Sequence, residues 1–325
     1  MPLNLVPRVL LYVEAVAEHG SIQAASRAIG ISASAIDRQI VLLEDKLDLQ
    51  LFDRRSTGMD LSAAGEMFVV LSRRWRDDEN RVLSDVKQMH GVEVGLVRLA
   101  TMDSLTNGPL PQILARIGRE YPRVEIEVEI MTPDEALVAI DEGLADIVLG
   151  FNLKASRDLH VLWSDELPLV CVASPDHPVS ERETISIKDV RAYPLVVQSA
   201  KLAIRRILEA RHTWLFSDTR PPVVTNSLQL LKQMAVSGSH IALTSELDAS
   251  SELLDGSLIA IPISEQKISS QSIGLVVSVR RTLPRICTTV SEIVAEEIAS
   301  CIAEVRGVAA ARQVARPTVR DGDLF

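Results

Sequence analysis

Aromatic side chains make up only 3% of this 325-residue chain. Its cores must be aliphatic, and few rings are available on which the bases of a single-stranded nucleic acid could stack. Cysteine is scarce too. Cys171, Cys287 and Cys301 are the only three; an odd, widely spaced set fits a reducing compartment and excludes a disulfide framework. Cys287 and Cys301 fall on one expected helix, which at 1.5 Å per residue holds them ~20 Å apart, too far for a bond. No apolar run approaches the ~20 residues of a membrane span. The start M-P-L-N-L-V-P-R leads straight into a helix and lacks a secretory pattern. A cytoplasmic protein with no membrane partner is expected. An excess of positive charge is also missing. The formal net charge of −10 argues against a general nucleic-acid coat. The patterns H-E-x-x-H, C-x-x-C, G-x-S-x-G and the phosphate loop do not occur, and the six histidines are scattered. No metal, cofactor or enzymatic activity is therefore expected.

What is present is a 47% hydrophobic fraction over a length that suits two or three domains. The chain is organised around residues 21–44, S-I-Q-A-A-S-R-A-I-G-I-S-A-S-A-I-D-R-Q-I-V-L-L-E, which read as two short helices and a tight turn. Ser21 and Ser32 are placed to cap them, and Gly30 sits where a sharp reversal needs positive φ. Ile36, Ile40, Leu43 and Leu47 form one apolar stripe. Ser34 and Arg38 face away from it, with Ala33 and Asp37 on the flank. Short side chains plus one Arg suit a helix that approaches base edges, although the same pattern also fits an ordinary helical hairpin. Residues 51–66, L-F-D-R-R-S-T-G-M-D-L-S-A-A-G-E, read as strand, turn near Thr57-Gly58, strand and a new helix from Ser62. That hairpin is a wing, with Arg54 and Arg55 placed for phosphates. Six Arg and Lys against eight Asp and Glu in residues 1–60 give −2, so any DNA contact must come from placed cations rather than a basic surface.

Residues Leu5 to Glu66 resemble the winged helix-turn-helix of LysR-type transcriptional regulators. The resemblance is carried by A-V-A-E-H-G-S-I-Q-A-A-S-R-A-I, A-I-D-R-Q-I-V-L-L-E and L-F-D-R with L-S-A-A-G-E. There are departures. Ala33-Ser34 stand where the family often has Gln-Pro or Gln-Ser, Asp37 where it usually has Ser, and Thr57 where a basic residue is common. These bear on base preference rather than fold. The resemblance implies double-stranded DNA as partner, contacted by Ser21, Arg27, Ser32, Ala33, Ser34, Asp37, Arg38, Arg54 and Arg55.

A long helix is expected from Ser62 to about Met89. Phe68, Trp75, Val82 and Met89 recur every seven residues with charges between them, a pattern for pairing with a second copy; the resemblance adds a tetramer. From Val94 onward strands and helices alternate, which predicts parallel sheets with helices on both faces. Two α/β lobes joined by crossing strands would enclose a cleft at the strand ends. This half is similar to the family's effector-binding domain, built like a periplasmic binding protein, through G-L-V-R-L-A-T, Y-P-R-V-E-I-E-V, G-L-A-D-I-V-L-G-F and A-Y-P-L-V-V. It departs at S-G-S-H-I-A-L-T, where His240 replaces a Gly and Thr244 an apolar residue.

The expected map is a DNA-binding domain at 1–62, a linker helix at 63–91 and an effector domain at 92–306, followed by a mobile tail at 307–325. Lobe I comprises 92–163 and 268–306, lobe II 164–267. The expected small-molecule site draws on Met102, Asp103, Ser104, Leu105, Phe151, Asn152, Gln198, Ser199, Thr225, Asn226 and Thr244. Each of these also reads as a turn or capping residue. Asp103 would repel an anion, which favours a neutral or cationic effector. The alternative is a solute-binding protein or small α/β enzyme with a helical oligomerisation arm.

Overall fold

Three short helices, α1 (Arg8–His19), α2 (Ile22–Ile29) and α3 (Ala33–Leu47), are followed by the hairpin β1 (Phe52–Arg55) and β2 (Gly58–Leu61) and by the long helix α4 (Ala63–Met89). The computed structural model describes residues 5–55, 58–89, 94–200, 202–216, 223–265 and 270–315. Gly30 closes α2 at φ 69°, the left-handed conformation its position predicts. Val13, Val16, Ala25, Ile36, Ile40, Leu51 and Phe52 meet in one apolar core. Its neatest local device is Glu44. This carboxylate is buried at the end of α3, and its Oε1 accepts from Leu51 N at 2.7 Å and Phe52 N at 3.3 Å. It thereby pins the start of the wing to the helix behind it. The motif L-S-A-A-G-E has an equally local cause. Ser62 Oγ donates to Gln50 O at 2.7 Å and accepts from Gly65 N at 3.1 Å, capping α4. A Cβ on Gly65 would lie 2.1 Å from Leu51 O, so only glycine allows this approach.

Removing the Glu44 carboxylate leaves two buried N–H groups without their acceptor. Glu44→Ala is expected to destabilise the N-terminal unit by about 2 kcal/mol or more. Calorimetry should show its transition moving to lower temperature while that of the effector domain stays in place.

The linker helix is tied down around residues 72–76. Glu14 of α1 accepts from Ser72 Oγ at 3.2 Å, lies 3.6 Å from Arg73 Nε and pairs with Arg76. Arg73 also reaches to 3.9 Å from Glu142 in the following domain.

That domain contains β3 (Gly95–Thr101), α5 (Asp103–Thr106), α6 (Leu110–Glu120), β4 (Val124–Ile130), α7 (Pro133–Glu142), β5 (Ile147–Phe151), β6 (Leu159–Leu167) and β7 (Leu169–Ala173). It continues with α8 (Ile187–Val190), β8 (Leu195–Gln198), α9 (Ala203–His212), β9 (Val223–Thr225), α10 (Leu228–Val236) and β10 (Ile241–Ser245). It ends with α11 (Ser250–Leu254), β11 (Ile259–Pro262), β12 (Gln271–Ser278) and α12 (Arg285–Ala315). Two five-stranded sheets result, ordered β4-β3-β5-β12-β6 and β11-β7-β10-β8-β9.

The sheets are mixed rather than parallel throughout. β12 runs antiparallel to both β5 and β6, and β7 antiparallel to β10 and β11. The reason is the route of the chain. β6 carries it out of the first lobe and β12 brings it back, so they pair directly instead of through a helical crossover, the connection that makes neighbours parallel. β6 escaped the sequence reading because its second half, S-D-E, breaks the apolar pattern.

α12 spans the junction. Ile298 and Ile302 sit in the core of the first lobe, and Val305 in a core of the second. Arg306 Nε then meets Glu246 at 2.6 Å, and its Nη1 meets Asp165 of β6 at 3.1 Å. Of the segment expected as a mobile tail, residues 307–315 continue α12. G-V-A-A-A-R-Q-V-A continues the helix because alanine loses no side-chain entropy in one. Residues 316–325 lie outside those described.

Candidate DNA-reading and effector sites

On α2 the expected cap is made: Ser21 Oγ accepts from Ala24 N at 3.2 Å. Ser32 stands at the N-cap position of α3 but makes no side-chain cap. Its hydroxyl instead accepts from Ser34 Oγ at 3.5 Å. The first N–H groups of α3 thus receive no acceptor from the Ser32 side chain, and a helix start of this kind suits phosphate. Arg27, Ser32, Ser34 and Arg38 are exposed, while Ala33 and Asp37 are half-buried. Ile36 and Ile40 face inward, so Arg38 points out as its spacing predicts. The backbones of Arg54 and Arg55 lie on β1; their side chains, and Thr57, fall outside the described residues.

In the effector domain two groups of expected residues form, one per lobe. In the first lobe the ends of β3 and β5 are paired, Thr101 beside Leu149, and Met102, Leu105 and Phe151 form a buried apolar floor. Asn152 follows in the left-handed conformation, φ 51°. Its Oδ1 accepts from Ser272 N at 3.1 Å, and its own N donates to Ser272 O at 2.8 Å. The amide is therefore fixed in place, and Nδ2 is buried without a hydrogen-bond partner. In the second lobe Ser199 N donates to Thr225 O at 2.8 Å, which brings the ends of β8 and β9 together beside the buried Gln198. Ser199 Oγ is likewise buried without a hydrogen-bond partner. A buried polar atom left unsatisfied is a group that a water or a bound ligand can complete.

Other expected residues have different tasks. Thr225 Oγ1 accepts from Ser227 N at 3.0 Å, and the cap of α10 is Ser227, next to the exposed Asn226. Asp103 is exposed and Ser104 half-buried, on the single turn of α5. Thr244 is fully buried, and its hydroxyl donates to Asp248 Oδ2 at 2.9 Å. That bond accounts for a threonine where the resembled pattern is apolar. Asp248 lies beside Lys232, which is itself fully buried and 2.8 Å from Glu252. Burial pushes the Asp248 carboxyl above its ordinary range, against its hydrogen bonds and the charge of Lys232. Nothing in L-L-K-Q-M-A-V marks Lys232 as interior except its place on the inner face of the helix.

Comparison with known proteins supplies the deciding observation. Residues 7–66 match the family described as "Bacterial regulatory helix-turn-helix protein, lysR family", and residues 90–299 match "LysR substrate binding domain". The chain belongs to the LysR family.

This LysR-type regulator is 27% identical over 257 residues to a probable nitrogen assimilation transcriptional activator of Synechococcus elongatus, covering 78% of this chain and 83% of that one. In fold it is similar to full-length CbnR in complex with its target DNA, at TM-score 0.58 and 18% identity, over 93% of this chain and 99% of that one. It is also similar to a full-length OxyR variant from Pseudomonas aeruginosa, at TM-score 0.59 and 17% identity, over 89% and 93% of the two chains. The N-terminal unit is thus a DNA-binding domain and not an oligomerisation arm on a solute-binding protein or enzyme. The family is one of transcriptional regulators. Among the described residues no helix is long and apolar enough to cross a membrane, and no cluster of His, Cys, Asp and Glu could hold a metal.

Proposed function

We propose that this LysR-type regulator works in the cytoplasm as a non-enzymatic switch, with the DNA-reading and effector residues named above. α3 enters the major groove, the wing contacts phosphates, and a small molecule bound between the lobes changes the geometry of the DNA-reading pairs. The protein acts as a dimer through α4 and as a tetramer by pairing of dimers. Among the described residues three buried side-chain atoms lack a hydrogen-bond partner: Asn152 Nδ2, Ser199 Oγ and Arg281 Nη1. The observation that carries the effector reading is that the first two belong to expected effector residues, one on each lobe. A ligand that bridges them ties the lobes together. The amide nitrogen only donates, so the ligand must offer an acceptor. The exposed Asp103 opposes a full negative charge, and a neutral molecule carrying carbonyl or hydroxyl groups fits both facts.

Asn152→Asp keeps the left-handed backbone and the acceptor to Ser272 but replaces the donor; Ser199→Ala removes the other group. Each should weaken an effector found by thermal-shift screening about tenfold, and should abolish its influence on a DNA footprint at unchanged DNA affinity. An effector indifferent to both changes would place the site elsewhere.

A further inference from the structure

Leu42 stands apart from the other large apolar residues of α3. It is 42% exposed, whereas Ile36 and Ile40 are fully buried. Leu43 and Leu47, its neighbours in sequence and pattern, pack against the N-terminal core, and Leu42 is not among the residues that do. At about 100° per residue it projects within ~40° of Arg38 and ~20° of Ala35, and both of those are exposed. One turn further on, Asp45 and Lys46 are exposed with opposite charges. The outer face of α3 therefore carries Ala35 and Leu42 beside Arg38, with Ser34 before them and Asp45 and Lys46 after them. A lone exposed leucine is ordinary on a protein surface. This one shares the face of the side chain best placed to enter the groove.

We propose that Leu42, with Ala35, selects thymine by apolar contact with its C5-methyl group. The proposal rests on the assignment of α3 to the major groove, and the occupant of this face is the DNA that Arg38 already addresses. In that groove thymine alone offers a methyl group. Every other base edge there presents donors or acceptors, and a leucine pressed against one removes water from it and returns no hydrogen bond. The side chain thus favours thymine and penalises the alternatives. The N-terminal 60 residues carry a net −2, so sequence-independent attraction is weak, and a methyl contact adds selectivity without charge.

The test uses the full-length protein and the duplex it selects from randomised DNA. Thymines in that duplex are replaced one at a time by uracil, which lacks the methyl and keeps every hydrogen bond. Wild type should lose about fourfold in affinity at one or two positions of each half-site, the worth of one buried methyl-sized group. Leu42→Ala should bind the thymine duplex more weakly and show no uracil penalty there. Leu42→Gln should move the preferred base at those positions away from thymine. Equal binding of all uracil duplexes by wild type overturns the proposal, as does an undiminished uracil penalty in Leu42→Ala. If Leu42→Ala changes the mass in light scattering and leaves DNA affinity intact, the leucine covers an interface between copies, and the proposal falls. If wild type enriches no sequence at all, the assignment of α3 to DNA falls first. An enriched sequence that tolerates uracil removes only Leu42.

Discussion

Replacing Trp75 and Val82 together with Glu is expected to reduce the protein to monomers and to remove most of its DNA binding. Trp75 is 43%, Val82 52% and Val86 47% exposed on the isolated chain. At about 100° per residue the three fall within ~40° of one another on α4, which makes an apolar stripe that is about half exposed in the single chain. A groove of about 900 Å³ lies between α1 and the first turns of α4, lined by Leu61, Met67, Phe68 and Leu71 together with Glu14 and Arg73. Glu14 engages a flank of α4 through Ser72, Arg73 and Arg76, and the stripe beside it is left half exposed for a second copy. Each large side chain withdrawn from such an interface removes roughly 1.5–3 kcal/mol of burial. The stripe would recur on both protomers, so the loss is doubled, and the four new carboxylates repel one another. Loss of pairing separates the two half-site readers, and affinity for a two-part site falls with it. Light scattering decides the matter: an unchanged mass in the double variant refutes pairing through this face.

The sequence made the N-terminal unit legible because its signals are local. The Gly30 turn, the inward Ile36–Ile40 stripe and the Ser62 cap each act within a few residues, and all three are where the pattern puts them. The stripe needs one adjustment. Phe68, the first member of its seven-residue repeat, packs against the N-terminal core, and Met67 takes the outward position at 73% exposure. Packing against α1 decided this, and periodicity alone has no access to it. The effector half was legible as two α/β lobes, but its strand directions were not. Those follow from the two long strands that cross between the lobes, and only β12 carries a continuous apolar run. At the effector site the residue types were readable at the strand ends. Which of their atoms remain unpaired was not: Thr244 is committed to Asp248 and Thr225 to Ser227, while Asn152 and Ser199 each keep one group without a hydrogen-bond partner. Those differences arise from partners 2–120 residues away in sequence.

Arg38→Ala is expected to cost on the order of 1–3 kcal/mol of specific DNA binding, and Asp37→Ser to act in a different way. Arg38 is exposed on the early, outward part of α3. There it can donate two hydrogen bonds to guanine or one to a phosphate. Loss of the guanine contact relaxes the preference at one position of each half-site. Loss of a phosphate contact weakens all sequences alike and lowers the salt slope by about one. Asp37 is half-buried at the edge of the same face. A carboxylate beside phosphates is repelled, and it is retained there for one of two reasons. It orients a neighbouring cation, or it accepts from the amino group of cytosine, the groove partner suited to a carboxylate. Serine retains an acceptor without the charge. If Asp37 reads cytosine, Asp37→Ser should change the preferred base at one position of each half-site. If it orients a cation, the same change should shift affinity equally on every variant of the site. Selection from randomised DNA with wild type and Asp37→Ser separates the two, and an identical preferred sequence removes Asp37 from the readout. Running both variants at two salt concentrations keeps the phosphate contribution of Arg38 apart from base reading, because only the former changes the slope.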